Sequence, residues 1–288
     1  MKPFHRKAVI LLITIFAFAA ALLSIFLRDT SLSRIRKAGV IRIGYTVEAP
    51  YAFLAPDGKV TGESPEVARR IVERLGIPGI EWRYVKFSHL IDDLEAGNID
   101  VIASGMFITP ERARRARFSE PTFHARQALL VRKGNPLALH SYEQALKRPG
   151  TRITAISGSV EEQLLLHIGY SKEQLVPVPD ALTGLSAVES GIADGLALSS
   201  PTLRWITSHN RGNRVEIAQP FDQPRATIGN LGYGAFVFRK QDGALQHAWS
   251  DAQKGFIGSP DHVHLLKRFG FTEKELPGRI TTAEVLSP

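Results

Sequence analysis

Apolar positions along the chain fall into two alternating registers. Short runs rich in Val, Ile, Tyr and Trp at 40–45 and 80–85 predict strands. Between them Val67, Ala68, Ile71, Val72 and Leu75 share one helical face, with Ser64 as the expected N-cap and Pro65 in the first turn. The alternation continues with a helix at 88–96, a strand at 99–103, a helix at 109–117 that starts Thr109-Pro110, and a strand at 127–133. A second set follows: helices at 142–146, 160–168, 181–190 and 201–208, with strands at 152–156, 176–178 and 195–198 between them. Residues 232–238 read as one apolar strand, and helices at 243–256 and 262–269 close the chain. Strands separated by helices predict two parallel α/β sheets. Ligands of such sheets bind beyond the carboxyl ends of the strands, so two lobes side by side share one cleft.

Residues 8–27 stand apart. They form a run of 20 with only Thr14 and Ser24 polar, behind Lys2, Arg6 and Lys7. Such a segment is a cleaved export signal or a retained membrane anchor; either way the basic end stays cytoplasmic and the body goes outside. Residues 19–21 are alanines that would suit cleavage, but cutting there leaves apolar residues at the new terminus.

The composition narrows the chemistry. With 288 residues, 44% apolar and 22% charged, the chain is globular in make-up and long enough for about two domains. It has no cysteine, which excludes disulfides, thiolate metal sites and cysteine nucleophiles. Lys2, Arg6, Lys7 and Arg28 supply half of the net charge of +8, and the clusters at 34–37 and 112–117 read as solvated helix faces, so no nucleic-acid partner is expected. The nine histidines are scattered, and no metalloprotease, nucleophile-elbow, dinucleotide or P-loop motif occurs. No catalytic residue, metal or cofactor is expected.

Binding has better candidates. Arg112 lies just past the end of the 99–103 strand, where a guanidinium can enter the cleft and take a carboxylate with two hydrogen bonds. A surface arginine on a basic helix is the competing reading. Ser157, Gly158, Ser159 and Val160 link a strand to a helix start, whose free N–H groups and hydroxyls suit an anion; ordinary N-capping by Ser159 is compatible with that. Tyr51, Phe87 and Phe107 each sit at a strand exit, against core packing as the default for an aromatic.

From residue 31 to about 271 the chain resembles the family 3 extracellular solute-binding proteins of ABC transporters. The opening at 32–44 carries this likeness, as do residues 62–68 (Gly-Glu-Ser-Pro-Glu-Val-Ala), 94–100 (Leu-Glu-Ala-Gly-Asn-Ile-Asp), and 108–112 with 118–121. The resemblance implies a type-II periplasmic-binding fold. Two α/β lobes, 31–131 with 229–288 and 132–228, would be joined by crossover strands near 130–133 and 230–233, behind a leader at 1–30. Within the family, residues 57–62, 104–112, 133–137, 161–162 and 178–180 are similar to the ectoine- and hydroxyectoine-binding subfamily. That likeness implies a cation held by Glu48 and an aromatic cage of Tyr51, Phe87 and Phe107, with Arg112 on the carboxylate. Val160 stands where the subfamily has a threonine. Ser199 stands where amino-acid binders of the family usually carry an aspartate, which favours a delocalised or alkylated cation that prefers ring faces. The implied partners are a small zwitterionic solute and a membrane ABC permease. A monomer is expected, periplasmic or extracytoplasmic, tethered to the inner membrane if residues 8–27 are retained. A polar-amino-acid binder, a tethered sensor and a cyclohexadienyl dehydratase-like enzyme are the alternatives; the last is disfavoured because Ser199 and Thr202 replace its acids.

Overall fold

A computed structural model describes residues 29–210, 212–225 and 231–287. The apolar segment at 8–27 lies outside the described residues. No described helix is long and apolar enough to cross a membrane.

Fourteen strands are described. In the first part of the chain they are β1 (Val40–Tyr45), β2 (Phe53–Leu54), β3 (Val60–Thr61), β4 (Gly79–Tyr84), β5 (Val101–Ile102), β6 (Ala116–Phe118) and β7 (Phe123–His124). The rest are β8 (Gln127–Arg132), β9 (Ile153–Ile156), β10 (Leu175–Val178), β11 (Gly195–Ser199), β12 (Val215–Ile217), β13 (Tyr233–Gly234) and β14 (Val237–Arg239). Two five-stranded sheets result, in the orders β4-β1-β5-β14-β6 and β10-β9-β11-β8-β12. The molecule thus has two α/β lobes, one sheet in each.

Both sheets are mixed rather than parallel, which corrects the sequence expectation. In the first, β4, β1 and β5 are parallel and β14 runs against β5. In the second, β10, β9 and β11 are parallel while β8 runs against both β11 and β12. The cause is connectivity: β8 and β14 enter their sheets by direct crossing from the other lobe rather than through a right-handed helix crossover. Because all of β8 pairs in the second sheet, the chain has changed lobes by Gln127, ahead of the expected crossing at 130–133. The run at 232–238 also divides. Tyr233–Gly234 pairs with β7 between the lobes, and Val237–Arg239 with β5 and β6. A single apolar pattern serves two sheets: Val237–Arg239 is buried throughout, while Tyr233 is half-buried and Gly234 buried.

The helix expected to begin at Ser64 begins at Glu63. Ser64 does not cap it; its hydroxyl donates to Glu63 Oε2 at 2.6 Å and accepts from Gly105 N–H at 3.1 Å. Thr109 does cap the helix Pro110–Arg115, accepting from Arg112 N–H. Asp100 is structural: buried at the start of β5, it pairs with Arg42 at 2.7 Å and Arg239 at 3.0 Å, locking β1 to β14. Burial would push its carboxyl up, but the two guanidiniums hold it below the ordinary aspartate range.

Candidate functional site

At the carboxyl ends of the sheets, hydrogen bonds cross between the lobes. Arg112 Nη2 donates to Gly158 O at 2.9 Å, Thr202 Oγ1 donates to Glu48 Oε1 at 2.9 Å, and Tyr51 OH donates to Ser199 Oγ at 3.0 Å. Ser199 and Thr202 hydroxyls are 3.2 Å apart. A continuous chain of hydroxyls therefore runs from Tyr51 through the second lobe and returns to the first at Glu48.

The first-lobe wall grows from loops at the ends of β1 and β5. After β1 the chain closes a tight turn in which Glu48 N–H donates to Ala52 O and Tyr51 N–H to Glu48 O, so acid and ring are set together. Tyr51 is buried, its ring 4.8 Å from Phe123 and 5.5 Å from Phe271. Gly105, at φ +65°, lies against that ring; a Cβ there would come within 2.4 Å of Tyr51 Cγ. Phe107 meets Phe123 edge-on at 5.7 Å. Phe123, which the sequence reading did not single out, thus bridges the two rings, because the chain returns past them on its way to the second lobe.

Arg112 is 5% exposed, with Nη1 on Phe107 O at 2.8 Å and its guanidinium 5.5 Å over the Phe87 ring. Phe87 therefore stands under the arginine, and among the described residues no ring contact joins it to Tyr51 or Phe107. Desolvation lowers Arg112 to about 10, still charged at neutral pH. A pocket at this end of the cleft is lined by Phe87, Ser88, Met106, Arg112, Gly158 and Gln163.

Across the cleft, the helix Val160–His167 begins at the Ser157–Ser159 turn. Several of the donors expected to hold an anion have partners inside the lobe. Ser157 N–H bonds Val178 O, Gly158 N–H bonds Glu162 Oε2 at 2.7 Å, Ser159 N–H bonds Ile156 O, and Ser159 Oγ takes Glu162 N–H. What this turn offers the first lobe is Gly158 O. Gly158, at φ +79°, also lets Ser88 approach: a Cβ would sit 3.1 Å from Ser88 Cα. Val160 is buried in the same apolar cluster as Tyr51, Phe107 and Phe123, so its methyls meet the ring wall rather than an anion.

The two acids beside Arg112 are both high. Burial, reinforced by the charge of Glu161, pushes Glu48 up to about 7 against the opposing pull of Thr202 and Arg112. Burial likewise raises Glu161, with its own backbone N–H and Arg112 pulling it back. Among the described residues no group of His, Asp and Glu is arranged to hold a metal ion.

The chain and its fold have relatives among known proteins. The structure superposes on that of EhuB in complex with hydroxyectoine with a TM-score of 0.83 and 29% identity, covering 90% of this chain and 99% of that one. It also resembles an ancestral amino-acid-binding protein that is a precursor of cyclohexadienyl dehydratase, at a TM-score of 0.72 and 24% identity over 83% of this chain and 99% of that one, a likeness of fold alone. A probable amino-acid ABC transporter periplasmic-binding protein of Sinorhizobium fredii, y4tE, is 31% identical over 90% of this chain and 88% of its own length. Residues 41–271 match the family model, so the chain belongs to the bacterial extracellular solute-binding proteins, family 3.

Proposed function

We propose that this protein is the extracytoplasmic binding component of an ABC importer and takes a zwitterionic compatible solute of the ectoine or hydroxyectoine type. The observation that carries the reading is the pairing, on one lobe, of a buried arginine with a half-buried acid, joined by a line of rings: Glu48 beside Tyr51, then Phe123, Phe107 and Arg112. A carboxylate suits Arg112, which gains a charge-assisted acceptor in place of the two carbonyls. The positive end suits Glu48 and the ring faces, where a desolvated cation gains about 0.5–2 kcal/mol per ring. The likeness to EhuB supports the ligand class. The second-lobe contacts at Gly158, Ser199 and Thr202 would form as the lobes close over the solute, about a hinge that includes the β7–β13 pair. The closed form would dock on a membrane permease, with residues 8–27 removed on export or kept as a tether.

A polar amino acid is the second reading, favoured by the likeness to y4tE. Titration calorimetry of the purified protein against ectoine, hydroxyectoine, proline betaine and the polar amino acids separates them. Tight binding of ectoine or hydroxyectoine is the expected result; binding only amino acids overturns the compatible-solute reading. Turnover of prephenate or arogenate would make the protein an enzyme.

A further inference from the structure

Glu63 is not among the residues expected to touch the solute, yet three segments of the first-lobe wall meet at it. It is fully buried as the first residue of the helix Glu63–Arg74. Its N–H bonds Pro50 O at 3.0 Å and the Ser64 N–H bonds Tyr51 O at 3.0 Å, which ties the helix start to the turn carrying Tyr51. Its Oε2 takes the Ser64 hydroxyl at 2.6 Å, and Ser64 Oγ in turn takes the N–H of Gly105, the residue that lies against the Tyr51 ring. On another side stands the buried Thr122, whose N–H and hydroxyl reach Gly234 O, in the β7–β13 pair, at 2.9 and 3.5 Å. Gly234 also bridges to Phe107.

The surroundings of this carboxyl suit an acid and not a carboxylate. Oε1 is buried with no hydrogen-bond partner, and among the described residues no lysine, arginine or histidine reaches the group. The titratable group facing it is the Tyr51 phenol, which burial holds neutral, well above its ordinary value. Glu66, in the same first turn, is turned to Thr61 and Arg69. A carboxylate here would leave a desolvated charge without a countercharge. A carboxylic acid can donate from Oε1 to the Thr122 hydroxyl while Oε2 still accepts from Ser64. The acid thus completes a line from Gly105 through Ser64, Glu63 and Thr122 to Gly234 O, and burial favours it, up to about 7. We propose that Glu63 is a positioning residue of the solute site that works in its protonated form, tying the Tyr51 wall to the strand pair between the lobes, so that rising pH loosens the tie and weakens binding. The inference rests on reading the cleft as a solute site, whatever the solute.

The test is calorimetry of the full chain with hydroxyectoine, and with L-arginine, at about pH 6 and about pH 8.5. Glu63→Gln carries a permanent N–H donor in place of the acidic proton. It should match the parent within about twofold at the lower pH and bind about fivefold more tightly than the parent at the higher one. Glu48 also titrates, but it faces the cleft in both proteins, so the ratio of parent to variant isolates Glu63. Hydrogen exchange of the unliganded proteins at matched pH adds a readout that needs no solute. Peptides covering 48–52 and 104–107 should exchange faster in the parent than in Glu63→Gln at the higher pH, and alike at the lower. Parallel affinity profiles, or matched exchange at both pH values, overturn the inference. The exchange difference without binding of either solute supports the tie and removes both solute readings. Tight hydroxyectoine binding with parallel profiles does the reverse.

Discussion

The two walls of the cleft are built on different principles. The first-lobe wall is closely packed and chemically committed. Tyr51, Phe107 and Arg112 are held by a ring stack, a tight turn and a capped helix, all made within the first lobe. The second-lobe wall consists of small groups: a carbonyl at Gly158, the hydroxyls of Ser199 and Thr202 and the methyls of Val160. Their cross-lobe hydrogen bonds exist only when the lobes meet. The contrast separates two jobs. The first lobe sets what charge pattern is held, and the second sets how firmly the closed state holds it.

That division can be broken at its strongest point first. Arg112→Ala should weaken solute binding more than about 100-fold, since it removes a buried charged fork. Calorimetry reads this directly, and binding within about tenfold of the parent would mean that the first lobe is not the committed wall.

The next effect lies beneath that wall. Glu63 is fully buried at the start of the helix Glu63–Arg74, with Oε1 unpartnered, and burial pushes it up to about 7 despite hydrogen bonds from Ser64 and Thr122. The folded state then holds a proton that the unfolded chain releases near 4.5, so stability falls as pH rises from about 5 through 7 and levels off above it. Glu48, also up to about 7, adds the same sign. Glu63→Gln should flatten the fall, raising the melting temperature on the order of 5 °C at pH 8 relative to the parent while leaving pH 5 nearly unchanged. A parallel pH profile in the variant would place the proton elsewhere.

Smaller effects test the second lobe. Thr202→Val removes the hydroxyl that donates to Glu48 and should cost about fivefold to tenfold in affinity. The loss should sit in the dissociation rate, because the contact belongs to closure. At the rim, Arg204 pairs with Glu275 at 3.0 Å, and Trp205 meets Phe53 at 5.1 Å. The pair is half-exposed on the arginine side, so Arg204→Met should change affinity by less than about threefold. An effect there as large as that of Thr202→Val would make the rim, and not the hydroxyl chain, the device that holds the lobes shut.

Much of this was legible in the chain alone. The Pro110 helix, capped at Thr109, identified the position of Arg112, and the strand exits identified Tyr51 and Phe107, because local periodicity and capping are decided by neighbours in sequence. Sheet direction was not legible: β8 looks like its parallel neighbours, and only its entry from the other lobe reverses it. Nor were the partners of the site. Nothing near Phe123 in sequence says that it joins Tyr51 to Phe107. Ser199 and Thr202 read as missing acids until Glu48, some 150 residues earlier, was found against them. The helix start at 157–160 reads as an anion cradle from its small residues; what the sequence did not show is that the N–H groups of Ser157, Gly158 and Ser159 bond within the second lobe while Gly158 O meets Arg112. Sequence by itself determined most of the helices and the central strands, the family and which side chains stand at the strand ends. Tertiary structure alone decided which of them face one another, since burial and charge pairing across a cleft arise between residues that no local pattern relates.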